Sequence, residues 1–518
     1  MFDYLRRLAT TGAAYTAASV ASKVLAVLLL PLYTSHLTTA DYGQAELLFS
    51  TVVAASIIIR LGLIEALLRF FYLPDERGDE VVATGFAALF WTSTLGALIA
   101  LPFAPQIGDL LSGDALDPNL VRIAIGGLWV LTLYEYMVTL FRLDERAKAY
   151  FAFTIGNVLL AIPLTVLLVV GFDEGAEGLL LGSYLAGLPF LLQRIWAERS
   201  RLSLRPDREL LRRMIRFGLP TMPAEMSIYS LAFIDRIIIA RSIGLAELGL
   251  YGLAFKFSQA IQVVVRGFQL AWPPLAYSIR DDEEARRTYA VVVTAFTALC
   301  GFIVVGMWLE ARWIVRLLAD ARFFDSYEAI GPLALGAALY GVYLALVVIL
   351  GRTGKTGYNF PVTIVATIAN VILNLILVPA WGIVGAGVAL IVSYLIVIVL
   401  IYMVSRRIFP IPWQWGRLAV VFGAAIVLVA GGDVLLPTDG AVGFLSRAAL
   451  VALYPVILWF GGAISRDERR QVNAILREGN LRERLAAMRA EAASEGDDDA
   501  RASELYEQEI RDRDRGGF

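Results

Sequence analysis

The chain has 518 residues, 58% of them hydrophobic and 18% charged, with a formal net charge of −2 and a mean hydropathy of +0.67. A soluble protein of this length is less apolar and more charged, so a soluble enzyme or a nucleic-acid-binding protein is excluded. One cysteine (Cys300) and one histidine (His36) likewise exclude an internal disulfide and a Cys/His metal cluster.

The apolar residues come in blocks of about 20, the length a helix needs to cross ~30 Å of hydrocarbon. In chain order they predict fourteen spans: 13–34, 41–67, 81–107, 119–141, 150–172, 176–196, 213–240, 245–275, 288–310, 329–350, 360–380, 383–404, 414–436 and 441–463. The first block is long enough to remain as a span rather than a cleaved signal. Helices are expected throughout, because an open sheet edge cannot be satisfied in lipid.

Between the first two spans lies a polar turn, "TSHLTTADYG", without Lys or Arg. Thr38, Asp41 and Gly43 suit a cap and tight turn there, and His36 is expected at its surface. Loops after even-numbered spans carry most of the positive charge, from Arg69 and Arg77 through Arg194, Arg199, Arg201 and Arg205 to Arg406 and Arg407. By the positive-inside rule both termini are cytoplasmic and the turn faces outward. The basic linker 197–212 reads as an amphipathic cytoplasmic segment drawn to anionic lipid or as a topological signal. The tail 464–518 reads as a charged helix followed by partial disorder. The segment "GRTGKTG" (351–357) is not a phosphate-binding loop: Ile349 stands where the motif needs glycine and no strand precedes it. It is expected to be a cytoplasmic turn.

"GAEGLLLGSYL" (175–185) recurs as "GAGVALIVSYL" (385–395), "TIGN" (154–157) as "TIAN" (367–370) and "ADYGQA" (40–45) as "GLYGLA" (249–254). Three matches at nearly one offset argue for a duplication. The expected organisation is an N-lobe, 1–196 (spans one to six), the linker 197–212, a C-lobe, 213–404 (spans seven to twelve), and two appended spans, 405–463. Parallel repeats of this kind are a transporter architecture, with the cargo site between the halves.

Charge inside hydrocarbon costs ~2.5–3.5 kcal/mol per residue at a helix centre and normally faces a cavity. Lys23 lies mid-span in the first helix, in a polar arc of about 120° shared with Ser19 and Ser22. In the eighth span Lys256, Gln259, Gln262, Arg266 and Gln269 form a second polar stripe of about 140°. If the lobes match, the stripes face each other across a central cavity. Arg60 in the second span and the Asp235–Arg236 pair in the seventh are further cavity candidates, although Asp235 can simply neutralise Arg236. Glu65, Glu135 and Glu225 are candidates for ion coupling or a hinge. Glu225 follows Pro220 and Pro223, which loosen the start of the seventh span; a kink with a solvated Glu is the simpler alternative.

"LPLYTSHLTTADYG" (30–43), "FGLPTMPAEMSIYSLAFIDRIIIARSIGLAELGLYGLAFKF" (217–257) and "IVRLLADARFFDSYEAIGPLAL" (314–335) resemble the bacterial polysaccharide-biosynthesis membrane proteins. These are the oligosaccharide flippases of the multidrug, oligosaccharidyl-lipid and polysaccharide exporter superfamily. The resemblance implies a non-enzymatic flippase in a bacterial or archaeal cytoplasmic membrane. It would move an undecaprenyl-pyrophosphate-linked oligosaccharide from the inner to the outer leaflet by alternating access, for cell-surface polysaccharide. No cofactor is expected, the energy coming from a gradient or the membrane potential. The partners are the lipid-linked oligosaccharide, membrane lipids and other polysaccharide-assembly proteins. On this basis Lys23, Arg60, Lys256 and Arg266 would hold the diphosphate by charge-assisted hydrogen bonds, the glutamines would meet sugar hydroxyls, and spans thirteen and fourteen would edge a groove for the tail. A lipid-II flippase, a multidrug–cation antiporter of the same fold and a membrane-bound polysaccharide polymerase or ligase are the alternatives.

Overall fold

In hydrocarbon each backbone N–H and C=O must find its partner within its own segment, and every regular element among the described residues is helical. The computed structural model describes residues 29–73, 77–113, 116–230, 233–463 and 469. The expectations for Ser19, Ser22, Lys23 and most of the tail therefore lie outside the described residues.

The first lobe comprises α1 (Leu30–His36), α2 (Thr39–Arg60), α3 (Leu63–Phe70), α4 (Gly78–Ala100), α5 (Ala104–Ser112), α6 (Pro118–Leu143), α7 (Ala147–Val166) and α8 (Gly175–Ala197). The second comprises α9 (Arg208–Gly218), α10 (Met222–Ser230), α11 (Ile234–Ser242), α12 (Leu245–Ser258), α13 (Gln262–Ser278), α14 (Asp282–Leu309), α15 (Ala311–Leu318), α16 (Tyr327–Arg352) and α17 (Asn359–Ile408). Two more helices, α18 (Trp415–Leu435) and α19 (Gly440–Phe460), pack on α14. Eleven helices among the described residues are long and apolar enough to cross a membrane. They account for predicted spans two to six and eight to fourteen, with α17 holding two of them.

Sequence cues explain several boundaries. The Thr38 hydroxyl accepts from the Asp41 N–H at 3.1 Å while the Asp41 carboxylate accepts from the Thr38 N–H at 3.1 Å, a capping box that starts α2 at the expected turn. His36 is exposed in that turn, as expected. Within α17 the helix breaks at Trp381 and Gly382, where φ is +59° at the glycine, which is where the prediction divides spans eleven and twelve. The seventh span departs from the prediction of one helix over 213–240. It is in three pieces, because Pro220 sits in a 3-10 turn, Leu219–Thr221, at the join of α9 and α10, and α11 starts afresh at Ile234.

The lobes meet most closely at the end that carries the 36–39 turn. There α2 crosses α12 with the backbones in contact: a β-carbon on Gly43 would overlap the Leu245 carbonyl oxygen, and one on Gly249 the Thr39 carbonyl oxygen. The loop after α15 tightens the same end. The Asp320 N–H donates to the Thr34 hydroxyl at 3.0 Å, Arg322 donates to the Ser35 carbonyl at 2.9 Å, and the Phe323 ring packs edge-on against Tyr42. At the opposite, arginine-rich end, Gly62 (φ +67°) and Gly218 approach so closely that a β-carbon on either would meet the other's carbonyl. Through this contact α9 docks on the first lobe, with Leu210 and Met214 buried against Leu63, Leu67 and Val81.

The linker is held by specific bonds. Arg201 reaches Asp79 at 2.8 Å and both Asp144 and Glu198 at 3.2 Å, and the Trp91 indole donates to the Leu204 carbonyl at 2.9 Å. The expected attraction of this segment to anionic lipid therefore does not extend to Arg201, whose charge is already matched.

Gly249→Val should wedge α12 from α2 and destabilise the fold by about 1–3 kcal/mol, the usual cost of overpacking. Cys300 is the chain's one cysteine and is 1% exposed, so its reaction with a thiol-reactive dye during heating reports unfolding. The variant should expose it at a lower temperature than wild type.

Candidate functional site

A cavity of about 500 Å³ lies between the lobes, walled by α2, α6, α10, α11, α12, α13, α16 and α17. The eighth span bends around it, because a 3-10 turn, Gln259–Ile261, separates α12 from α13. Gln259, Gln262 and Arg266 of the predicted stripe line the cavity. So do Arg60, Glu135, Glu225 and Asp235. Sequence separation had scattered these residues over more than 200 positions, and the fold brings them to one wall.

Their charges are not independent. One arm of the Arg60 guanidinium donates to Glu135 at 2.9 Å and the other to Glu225, also at 2.9 Å. Its side chain is 12% exposed, so one arginine ties α2 and α6 to α10, the helix that starts between the two prolines. A cation in this setting is stable only with its charge compensated, and the trio carries net −1. Arg60 was expected to meet an anionic cargo directly, and it is instead occupied by two carboxylates. Glu225 is bonded to Arg60 at the broken helix while its side chain stays 38% exposed.

Lys256 is engaged elsewhere. Its ammonium lies 2.6 Å from Glu46 and donates to the Tyr42 hydroxyl at 2.6 Å, above the Tyr42 ring. Both partners are on α2, so this pair crosses between the lobes just inside the glycine contact. Asp235 and Arg236 are buried together. Asp235 accepts from the Arg236 backbone N–H at 2.8 Å and from the Tyr251 hydroxyl, while the guanidinium stacks over Phe255 at 4.4 Å. Gln269 is exposed on α13 and Glu65 half-buried on α3, neither lining the cavity. Arg266 is different from the other cations. It is exposed to the cavity and has no salt bridge among the described residues.

Three tyrosines escape a search for charge: Tyr229 on α10, Tyr340 on α16 and Tyr394 on α17 all line the cavity. The Tyr340 and Tyr394 rings lie 5.6 Å apart. A signal existed for Tyr394, which falls in the repeated "SYL" segment. Rings of this kind offer a flat apolar face with a hydroxyl at its edge, and glutamine amides beside them both donate and accept. The wall is therefore suited to a polar, hydroxyl-rich molecule with an anionic part near Arg266.

Comparison with known proteins agrees with this architecture. The family model described as polysaccharide biosynthesis protein matches residues 8–280, more than half of the chain. A protein of the Lsg locus of Haemophilus influenzae is 21% identical over 371 residues, covering 69% of this chain and 88% of its own length. A Haloferax volcanii protein named probable flippase AglR is 24% identical over 213 residues, 35% of this chain and 42% of its own. Among solved structures, the lipid II flippase MurJ in an inward closed conformation superposes with a TM-score of 0.68 at 12% identity, over 87% of this chain and 97% of its own. An inward-facing multidrug resistance transporter of the MATE family gives 0.61 at 17% identity, over 75% and 94%. These likenesses give the two-lobed transporter fold.

Arg60→Gln should orphan two half-buried carboxylates and lower stability by about 1–3 kcal/mol, after allowance for their partial exposure. Adding Glu135→Gln and Glu225→Gln should restore most of the loss, as read by the temperature at which Cys300 becomes reactive.

With the cavity between two helical lobes and the family model matching residues 8–280, the chain belongs to the polysaccharide biosynthesis family of multi-pass membrane proteins.

Proposed function

We propose that this protein is a flippase that carries an undecaprenyl-pyrophosphate-linked oligosaccharide from the inner to the outer leaflet of a prokaryotic cytoplasmic membrane. The observation that carries this reading is the cavity wall itself, where Arg266, without a salt bridge among the described residues, stands beside glutamines and tyrosines between the lobes. A diphosphate and its sugars cannot cross hydrocarbon unaided. They need a hydrated path with a cation and hydrogen-bonding groups, while the prenyl tail stays in lipid. Membership of the family, a relative named as a flippase and the fold of a lipid II flippase support the assignment.

By the distribution of arginine the termini are cytoplasmic, so the glycine-packed end faces outward and this is the state with the outer mouth shut. The two halves, 1–196 and 213–404, would rock about the cavity. Arg266 meets the diphosphate first and the glutamines meet sugar hydroxyls. Arg60 can join only by leaving Glu135 and Glu225, which then stand as uncompensated charges and take up a cation or a proton. Cargo binding is thereby linked to ion uptake without any hydrolysis. Lys23, Ser19 and Ser22 would face the same chamber, and spans thirteen and fourteen the tail. Other glycan-assembly proteins would supply and receive the cargo.

The carboxylates on the wall favour one rival, a cation antiporter of the same fold. Reconstituted vesicles containing a fluorescent prenyl-diphosphate oligosaccharide distinguish the two. Wild type should move the lipid between leaflets, Arg266→Gln should slow transfer by at least about tenfold, the scale of one lost charge-assisted bond, and Gln262→Ala should have a smaller effect. Movement of organic cations without lipid transfer would instead establish the antiporter.

A further inference from the structure

The arginine-rich ends of the two lobes invite a comparison, because the duplication places similar elements there. In the first lobe α6 ends with Arg142 in its last turn, α8 ends with Arg194 and α4 begins with Asp79 and Glu80. In the second, α16 ends with Arg352, α17 ends with Arg406 and Arg407, and α14 begins with Asp282. Arg352 follows Arg142 by 210 positions and Arg407 follows Arg194 by 213, the offsets of the repeat itself.

The two ends are finished differently. In the first lobe Arg194 and Arg201 are matched by Asp79, Asp144 and Glu198, and the linker lies over them. In the second lobe the corresponding place is an open hollow of about 970 Å³. Arg280, Arg286, Arg352, Lys355 and Arg407 line it, and Asp282 is its one lining carboxylate. That carboxylate is taken by Arg352, which donates to it at 2.8 Å and to the Ile279 carbonyl at 2.8 Å. Arg286 lies over the Phe409 ring at 5.0 Å, with Glu283 only at 3.9 Å. Arg280, Lys355 and Arg407 are exposed and form no salt bridge among the described residues. A topological signal requires positive charge at this end, but in the first lobe the corresponding Arg194, with Arg201 beside it, is matched by carboxylates. What the signal leaves unexplained is why three chain segments, 277–286, 351–355 and 407–409, converge their cations on one concave surface that a single carboxylate, Asp282, lines.

We propose that this hollow is a second anion site, which takes a phosphate-bearing group with two or more negative charges. Arg352, fixed by Asp282 and two carbonyls, forms its floor, and Arg280, Lys355 and Arg407 supply the charge-assisted bonds. Basic pockets at the cytoplasmic ends of membrane helices hold anionic lipid head groups by this chemistry, and a soluble diphosphate has the same donors to meet. The "GRTGKTG" turn thus has a phosphate role without being a nucleotide loop: it ends a helix and contributes Arg352 and Lys355. The site is separate from the central cavity and holds whichever cargo that cavity carries.

The test uses the full chain in phosphatidylcholine nanodiscs, with cardiolipin retention read by native mass spectrometry and inorganic pyrophosphate binding by calorimetry. Arg280→Gln/Lys355→Gln/Arg407→Gln should weaken binding of the probe by at least about tenfold, the scale of three juxtamembrane charges. A control, Arg199→Gln/Arg205→Gln/Arg208→Gln, removes equal charge from the same end outside the hollow and should bind as wild type. Loss of cardiolipin alone identifies a lipid head group, and loss of pyrophosphate alone a soluble anion; either supports the site. Equal loss in both triple variants, or no saturable binding of either probe to wild type, overturns it. If the triple variant exposes Cys300 at rest, the single variants Lys355→Gln and Arg407→Gln carry the comparison, each expected to weaken binding several-fold.

Discussion

A guanidinium buried between membrane helices must bring its counter-charge with it, and this constraint organises the interior. Arg60 is held by Glu135 and Glu225, Lys256 by Glu46, Arg236 by Asp235. Two of these pairings cross between segments that an alternating-access protein must separate. Each therefore acts as a contact that stabilises one arrangement of the lobes and has to be given up in another. The cost of an unpaired charge in a partly dry site makes such contacts cooperative with whatever replaces them.

Close packing supplies the other half of the device. At the end that carries the 36–39 turn, small residues let α2 and α12 touch backbone to backbone through Gly43 and Gly249, as helices in lipid associate when small side chains permit close approach. The Lys256–Glu46–Tyr42 cluster lies next to this contact, so the seal combines dispersion with one ion pair. At the other end the Gly62–Gly218 contact fastens α9 to the first lobe. The paired prolines follow immediately. The break they cause lets α10 incline its Glu225 toward Arg60, which an unbroken seventh helix docked at Gly218 would carry along a single axis.

Much of this was legible in the residues. Apolar blocks gave the helices, including the division between spans eleven and twelve, and Thr38 and Asp41 marked the cap. The repeat pointed to two lobes. Partnership was not legible. Arg60 and Glu225 are 165 positions apart, and Lys256 and Tyr42 are 214 apart. A sequence displays a charge without the opposite charge that satisfies it, so the three candidate cations among the described residues separate into Arg266, without a salt bridge there, and the matched Arg60 and Lys256. Tyr340 was hidden for the converse reason, since a tyrosine within "ALYGVYLAL" has the pattern of ordinary core.

The balance of charge on the cavity wall bears on how a carrier of a diphosphate could work at all. A chamber lined by several free arginines would hold such a cargo strongly and release it slowly, and conduction of any charged species requires a site weak enough to leave. Among the described residues one cavity cation, Arg266, has no salt bridge and another, Arg60, is available only against competition from two carboxylates. On the proposed reading, binding would consist of exchanging partners around Arg60, with the released carboxylates pulling the guanidinium back as the cargo departs. The same carboxylates that made the wall look unsuited to an anion are, on this account, what allows the anion to be let go.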